Sequence, residues 1–250
     1  MTKLTNYKNK KKQMKRRMKN NRKMTMTALV AFSVVIACGC TKSDDPNNGG
    51  GTYNGHEYVD LGLPSGTLWA TCNVGATSPE DYGDYFAWAE TEPKSVYNWS
   101  TYKYCDGDYD ELTKYCTRSG YGNNGFTDNL TVLLPEDDAA TANWGNGWRM
   151  PTENECRELM HNTTHTWTTQ NGVNGRRFIG SNGNSIFLPA AGYRWGGELN
   201  DAGSRGYYWS QSLYAGSPDD AWYLYFYSDD CNMGSYYRYN GFSVRPVREN

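Results

Sequence analysis

The sequence predicts an α+β domain built from short strands, few helices and long loops, and three observations lead there. With 27 Gly, 21 Tyr and 9 Trp in 250 residues and a mean hydropathy of −0.82, the chain is poor in helix formers. It is rich in residues that suit turns or a half-buried pleated surface. Apolar and polar residues alternate in several short stretches, which is the period of strands. Only one segment carries a complete helix-start signal.

In chain order, YVDLGLPSGTLWATCNVG, residues 58–75, reads as a hairpin. Val59 and Leu61 flank Asp60, and Leu68, Ala70, Cys72 and Val74 alternate with Trp69, Thr71 and Asn73, with Gly62, Pro64 and Gly66 between the two arms. Residues 76–147 are mostly loop. Within them Pro135 to Ala142 predicts a short helix whose first turn exposes Glu136, Asp137 and Asp138 to solvent. Thr152 caps the next helix and Glu155 completes a capping box, so residues 153–161 are the strongest helix of the chain. Arg177–Ile179 and Ser185–Leu188 form a second hairpin around SNGN, ended by Pro189. In AWYLYFY the alternation sends Trp222, Leu224 and Phe226 to one face of a strand and Tyr223, Tyr225 and Tyr227 to the other. The first trio is expected in the core and the second in water.

Charge divides the chain. The first 40 residues hold 11 of the 25 basic residues and no acid, which leaves 14 basic against 27 acidic in the rest. A body at −13 repels phosphates, so nucleic-acid binding is disfavoured. Met24 to Ala37 are 14 uncharged, mostly apolar residues, too few for a spanning helix, which needs about 18 or more. Residues 1–39 therefore read as a signal peptide. VIACGCTKSDD resembles a bacterial lipobox, with Cys40 the expected lipid-bearing residue and Cys38 the alternative. Ser43, Asp44 and Asp45 stand where surface lipoproteins of Bacteroidota carry an acidic export signal. Residues 40–52 are expected to be a polar tether, and 53–250 the folded domain, held at the outer membrane and facing the cell exterior.

Five cysteines follow the leader: Cys72, Cys105, Cys116, Cys156 and Cys231. An exported domain permits disulfides, and Cys105 and Cys116 are the easiest pair to bridge; buried free thiols are the equal alternative. His161 and His165 have the spacing of a helical metal site, but the NTT between them is a poor helix. DGDYDE starts like a calcium loop, yet Glu111 stands at its sixth position where glycine is required. No zinc, cofactor or catalytic nucleophile is expected.

The blocks VDLGLPSGTLWATCNVGA, EDYGDYFAWAETEPK, GWRMPTENE, SIFLPAAGYR, YYWSQSLY and NGFSVRPVR, over about residues 53–248, together resemble the Fibrobacter succinogenes major paralogous domain. That resemblance implies a C-type lectin-like fold related to formylglycine-generating-enzyme domains, with a C-terminal strand returning beside the N-terminal one. A subset of the family resembles variable proteins of diversity-generating retroelements, in which adenine mutagenesis scatters Asn codons. Relatives carry Asn where this chain has Tyr223, Tyr225, Tyr227, Asp230, Ser235, Tyr236 and Tyr237, between scaffold residues Ala221, Trp222, Phe226, Arg238 and Gly241. Cys231 is reachable from an Asn codon in the same way.

The expected function is binding of a protein or glycan ligand through those seven residues, without catalysis. Tyrosines supply contact area and Ser, Gly, Asn and Asp adaptable polar contacts. Two alternatives are a structural or adhesive subunit of a surface assembly such as a pilus tip, and a carbohydrate-processing enzyme with paired carboxylates.

Overall fold

The computed structural model describes residues 49–250. The expected signal peptide and the lipidation candidates Cys38 and Cys40 lie outside the described residues. Four antiparallel strands open the domain: β1 (Gly50–Tyr53), β2 (His56–Asp60), β3 (Leu68–Ala70) and the C-terminal β12 (Val247–Arg248), in the order β1-β2-β3-β12. The terminal strand does return to the N-terminal sheet. β1 begins inside the stretch read as tether, which corrects that boundary. Asn54 and Gly55, both at positive φ, make the two-residue turn that pairs Tyr53 with His56.

β3 stops at Ala70, short of the run to Val74 that alternation suggested. The reason is Arg245, which is fully buried and donates from Nη1 to the carbonyls of Ala70 and Thr71 at 3.1 and 2.7 Å, and from Nε to Asn73 Oδ1 at 2.9 Å. Val74 N–H then bonds to Val244 rather than to a sheet neighbour.

The expected helix at 135–142 is divided. Pro135–Asp137 forms a 3-10 turn, and Asp138 starts α1 (Ala139–Trp144) by accepting from the N–H groups of Ala140 and Thr141. Asp137 and Asp138 are buried, not solvated. Asp137 takes hydrogen bonds from Tyr104, Tyr115 and Lys114, and the other oxygen of Asp138 receives Met150 N–H. These carboxylates anchor loop segments, because each collects several otherwise unpaired donors in the interior.

α2 (Glu153–Asn162) carries the predicted capping box. Beyond it run β4 (Thr164–Gln170), β5 (Val173–Ile179) and β6 (Ser185–Pro189), a three-stranded sheet in that order. The predicted second hairpin is its β5–β6 part. β7 (Tyr193–Trp195) and β8 (Glu198–Asn200) form a small hairpin, followed by β9 (Gly206–Leu213), β10 (Asp220–Phe226) and β11 (Cys231–Tyr237), with β10 central.

That last sheet is packed on both faces. One face carries Tyr208, Leu224, Phe226 and Met233 into a core shared with Cys156, Leu159 and Met160 of α2. The other carries Trp209, Leu213, Ala221 and Tyr223 into a core with Trp88, Trp148 and Phe242. All five cysteines of the domain are free. Among the described residues, no helix is long and apolar enough to cross a membrane.

Candidate functional site

The predicted alternation of β10 is present, but its tyrosine face is not simply open to water. Tyr223 is 9 % exposed and belongs to the core. Its ring meets Tyr207, Trp209, Tyr225, Tyr236 and Phe242 at centroid distances of 5.0 to 6.3 Å. Gly234 stands opposite it in β11, and a side chain there would collide with the tyrosine ring. Burial pushes the Tyr223 hydroxyl pKa up. The hydroxyl makes no hydrogen bond with a described residue and is not among the sealed, unpartnered atoms, so the ring is interior while its oxygen reaches the surface.

Around Tyr223 the exposed rings gather on a buried floor. Phe242 is sealed and touches Tyr193, Tyr207, Tyr223 and Tyr236. Tyr236 and Tyr237 are 43 % and 44 % exposed. From Tyr236 the rings continue through Tyr237 to Tyr239 and Trp99, each within 6 Å of the next. Trp195, at the end of β7, is 56 % exposed, and the Gly196 beside it bridges Tyr97.

The seven predicted residues separate into three groups. Tyr223, Tyr225 and Tyr236 share one face of the sheet, since Tyr223 pairs with Gly234, Tyr225 with Asn232 and Ala221 with Tyr236. Tyr237, the last residue of β11, joins their ring system through Tyr236. Tyr227 and Asp230 form the β10–β11 turn, where Tyr227 N–H bonds to Asp230 and the Tyr225 hydroxyl donates to the Asp230 carboxylate at 3.2 Å. Arg176 fixes this turn by donating to the carbonyls of Tyr227 and Asp230 at 2.7 and 3.1 Å. Ser235 is the exception. It pairs with Trp222 on the side that α2 covers, and its hydroxyl donates to Asp220 at 3.0 Å. Period two allows no other outcome once Tyr236 faces the rings.

Of the scaffold positions, Ala221, Phe226 and Arg238 are fully buried, whereas Trp222, expected in the core, is only partly buried at its edge. Arg238 lies between the rings of Trp88 and Tyr102 and donates to the carbonyl of Tyr115 at 2.9 Å, which ties the loop to the end of β11. A side chain at Gly241 would strike Tyr97. Cys231 pairs with Phe226 on the α2 side, and burial pushes its thiol up to about 12, so it is unreactive at neutral pH.

The site residues read from the sequence leave out Tyr193, Tyr207 and Trp99, which lie on other elements and meet Phe242 or Tyr237 only in the fold, and Tyr239, two residues beyond β11. Two of the residues weighed as metal ligands are engaged by neighbours: His165 Nδ1 lies 2.8 Å from Arg176 Nη1, and Asp106 accepts from Asn123.

The model of the Lcl C-terminal domain family matches residues 64–248. No curated protein and no solved structure matches the chain. The matched stretch runs from just before β3 through β12 and contains the whole aromatic surface, and the chain belongs to the Lcl C-terminal domain family.

Proposed function

We propose that this protein is a lipid-anchored, cell-surface binding protein with a C-type lectin-like domain, and that its aromatic surface engages a protein or glycan ligand. The observation that carries this is the pair of half-exposed rings Tyr236 and Tyr237, the first of them held against the sealed Phe242. Holding several large rings at a surface has no packing benefit of its own, and Tyr and Trp are the side chains that dominate binding energy at interfaces. Rigid support keeps the entropic cost of binding low.

Retroelement diversification fits the same arrangement. Variation at Tyr225, Tyr227, Asp230, Tyr236 and Tyr237 changes the surface, while Ala221, Phe226 and Arg238 hold the interior. Tyr223 and Ser235 are then the positions at which variation also touches packing. The meeting of β12 with β3 supports the C-type lectin-like assignment. A docking role in a surface assembly is favoured by one observation: Trp195, Leu199 and Val96 are apolar, exposed and close to the β7–β8 hairpin.

The test is to probe arrays of glycans and of purified surface proteins with the full chain and with a Tyr236→Ala, Tyr237→Ala double variant. Recognition should be lost by the variant at an unchanged melting temperature. Equal signals from both would refute the assignment.

A further inference from the structure

A cleft of about 400 Å³ opens where the C-terminal strand meets the segment joining α1 to α2. Pro135, Thr141, Asn146, Arg149, Arg248 and Glu249 are among the residues that line it, and none of them belongs to the tyrosine surface. Its size lies within the range of about 300–1,000 Å³ typical of small-molecule sites, and it mixes apolar walls with few polar groups.

The two guanidinium groups in this cleft are in different states. Arg149 is spent: Nη1 and Nη2 grip the Glu155 carboxylate at 2.7 and 2.6 Å, and Nη1 also donates to the Met150 carbonyl at 3.2 Å. Arg248 has no ion pair and no hydrogen bond with any described residue. It rests on the rings of Tyr53 and Tyr58, 4.3 and 5.0 Å from their centroids. Its Nε is sealed without a partner, whereas its terminal nitrogens are not sealed, and the residue lines the cleft. Two aromatic faces therefore fix the plane of a charged fork whose donors are unused.

A planar fork with two parallel N–H donors matches a carboxylate. The charge balance favours the same choice. Glu155 holds Arg149, and Glu249, the carboxylate of the lining, is 88 % exposed and reaches Arg149 at 4.0 Å, so Arg248 is the guanidinium left without an acid, and a single carboxylate suffices for it. A phosphate would add surplus negative charge to a domain that already carries a large acidic excess. Pro135 offers an apolar wall to the body of the ligand, and the side-chain amide of Asn146 makes no hydrogen bond to a described residue and stands at the surface.

We propose that this cleft is a second binding site, separate from the tyrosine surface, for a small organic monocarboxylate held bidentately by Arg248. A sugar acid and an aromatic acid both carry such a carboxylate, and the probes separate the two.

The experiment titrates the full chain by calorimetry with D-glucuronate, benzoate and inorganic phosphate, and repeats the titrations with Arg248→Gln, Arg248→Lys and the Tyr236→Ala, Tyr237→Ala double variant. At least one carboxylate should bind saturably at one site and more tightly than phosphate. Binding should weaken at least tenfold in Arg248→Gln, fall less in Arg248→Lys, which keeps the charge but not the fork, and be unchanged in the tyrosine variant. Binding of glucuronate alone identifies a sugar-acid site, and of benzoate alone an aromatic-acid site. The proposal is overturned if neither carboxylate binds, if phosphate binds more tightly, or if both Arg248 variants, folded by their melting temperature, bind as the parent does.

Discussion

The rings of Tyr223 and Phe242 lie 5.0 Å apart, inclined at 59°, so a tyrosine in line with the ligand-facing residues of β10 is also a wall of the core. Tyr223→Ala should cost about 3–4 kcal/mol, as expected for removing a buried aromatic ring. Tyr223→Phe should cost less than about 1 kcal/mol, because the hydroxyl has no partner inside the protein. Urea unfolding measures both. An unfolding midpoint for Tyr223→Ala equal to that of the parent would show that the ring is not part of the core.

Trp195, Tyr236 and Tyr237 lie at the other extreme of exposure. Each changed singly to Ala should leave stability within about 0.5 kcal/mol, the usual range for surface sites. Thermal melts of the three variants check this, and a loss of several degrees would make these rings structural instead.

Glu155 ties the start of α2 to the terminal sheet. Burial pushes its carboxyl up, but the Arg149 fork, the Thr152 N–H and the Thr67 hydroxyl outweigh burial and hold its pKa at about 2, below the ordinary 4.5. A group depressed on folding stabilises above its unfolded pKa, and that contribution fades as pH falls from about 4.5 toward 2. Glu155→Gln should therefore lose up to about 3 kcal/mol at pH 7, with the gap to the parent closing in acid. A constant gap across this window would disprove the assignment of the charge.

Asp220 has the opposite sign. Burial and the neighbouring Asp219 raise its carboxyl to about 6, against the hydrogen bond from Ser235. A raised acid is proton-loaded in the folded state, so its cost appears as pH climbs from about 3.8 through 6. Asp220→Asn should melt a few degrees higher than the parent at pH 7 and together with it at pH 4. If the variant melts lower at pH 7, the ionised carboxylate is stabilising and its pKa is not raised.

Local chemistry was legible in the sequence wherever the signal was local. The Thr152 and Glu155 capping box, the 179/185 hairpin and the alternation from Ala221 to Phe226 stand as the residues imply, whereas Tyr227, expected on the tyrosine face, falls in the turn. Two equally local signals went unused: Asn54-Gly55 and Asn171-Gly172 are both two-residue hairpin turns at positive φ, and each closes a strand pair that alternation did not suggest. β4, THTWTTQ, has no apolar face to betray it.

The burial of Tyr223 was not legible, because Tyr207, Trp209 and Phe242 arrive from other strands and loops to cover it. The same holds for Ser235, whose face depends on how many residues the turn at 227–230 consumes before β11 begins. The loop between β3 and α1 owes its shape to three buried charges with partners distant in sequence: Arg238 and Arg245, which hold backbone carbonyls, and Asp137, which holds the side chains of Tyr104, Lys114 and Tyr115.

Recognition by the aromatic surface is tested most directly by the dissociation constant of an array-identified ligand for the parent and for Tyr236→Ala, Tyr237→Ala and Trp195→Ala, each measured beside its melting temperature. A weakening of at least tenfold for one or more of these substitutions, with melting unchanged, is the predicted result. Undiminished affinity in all three would contradict the account.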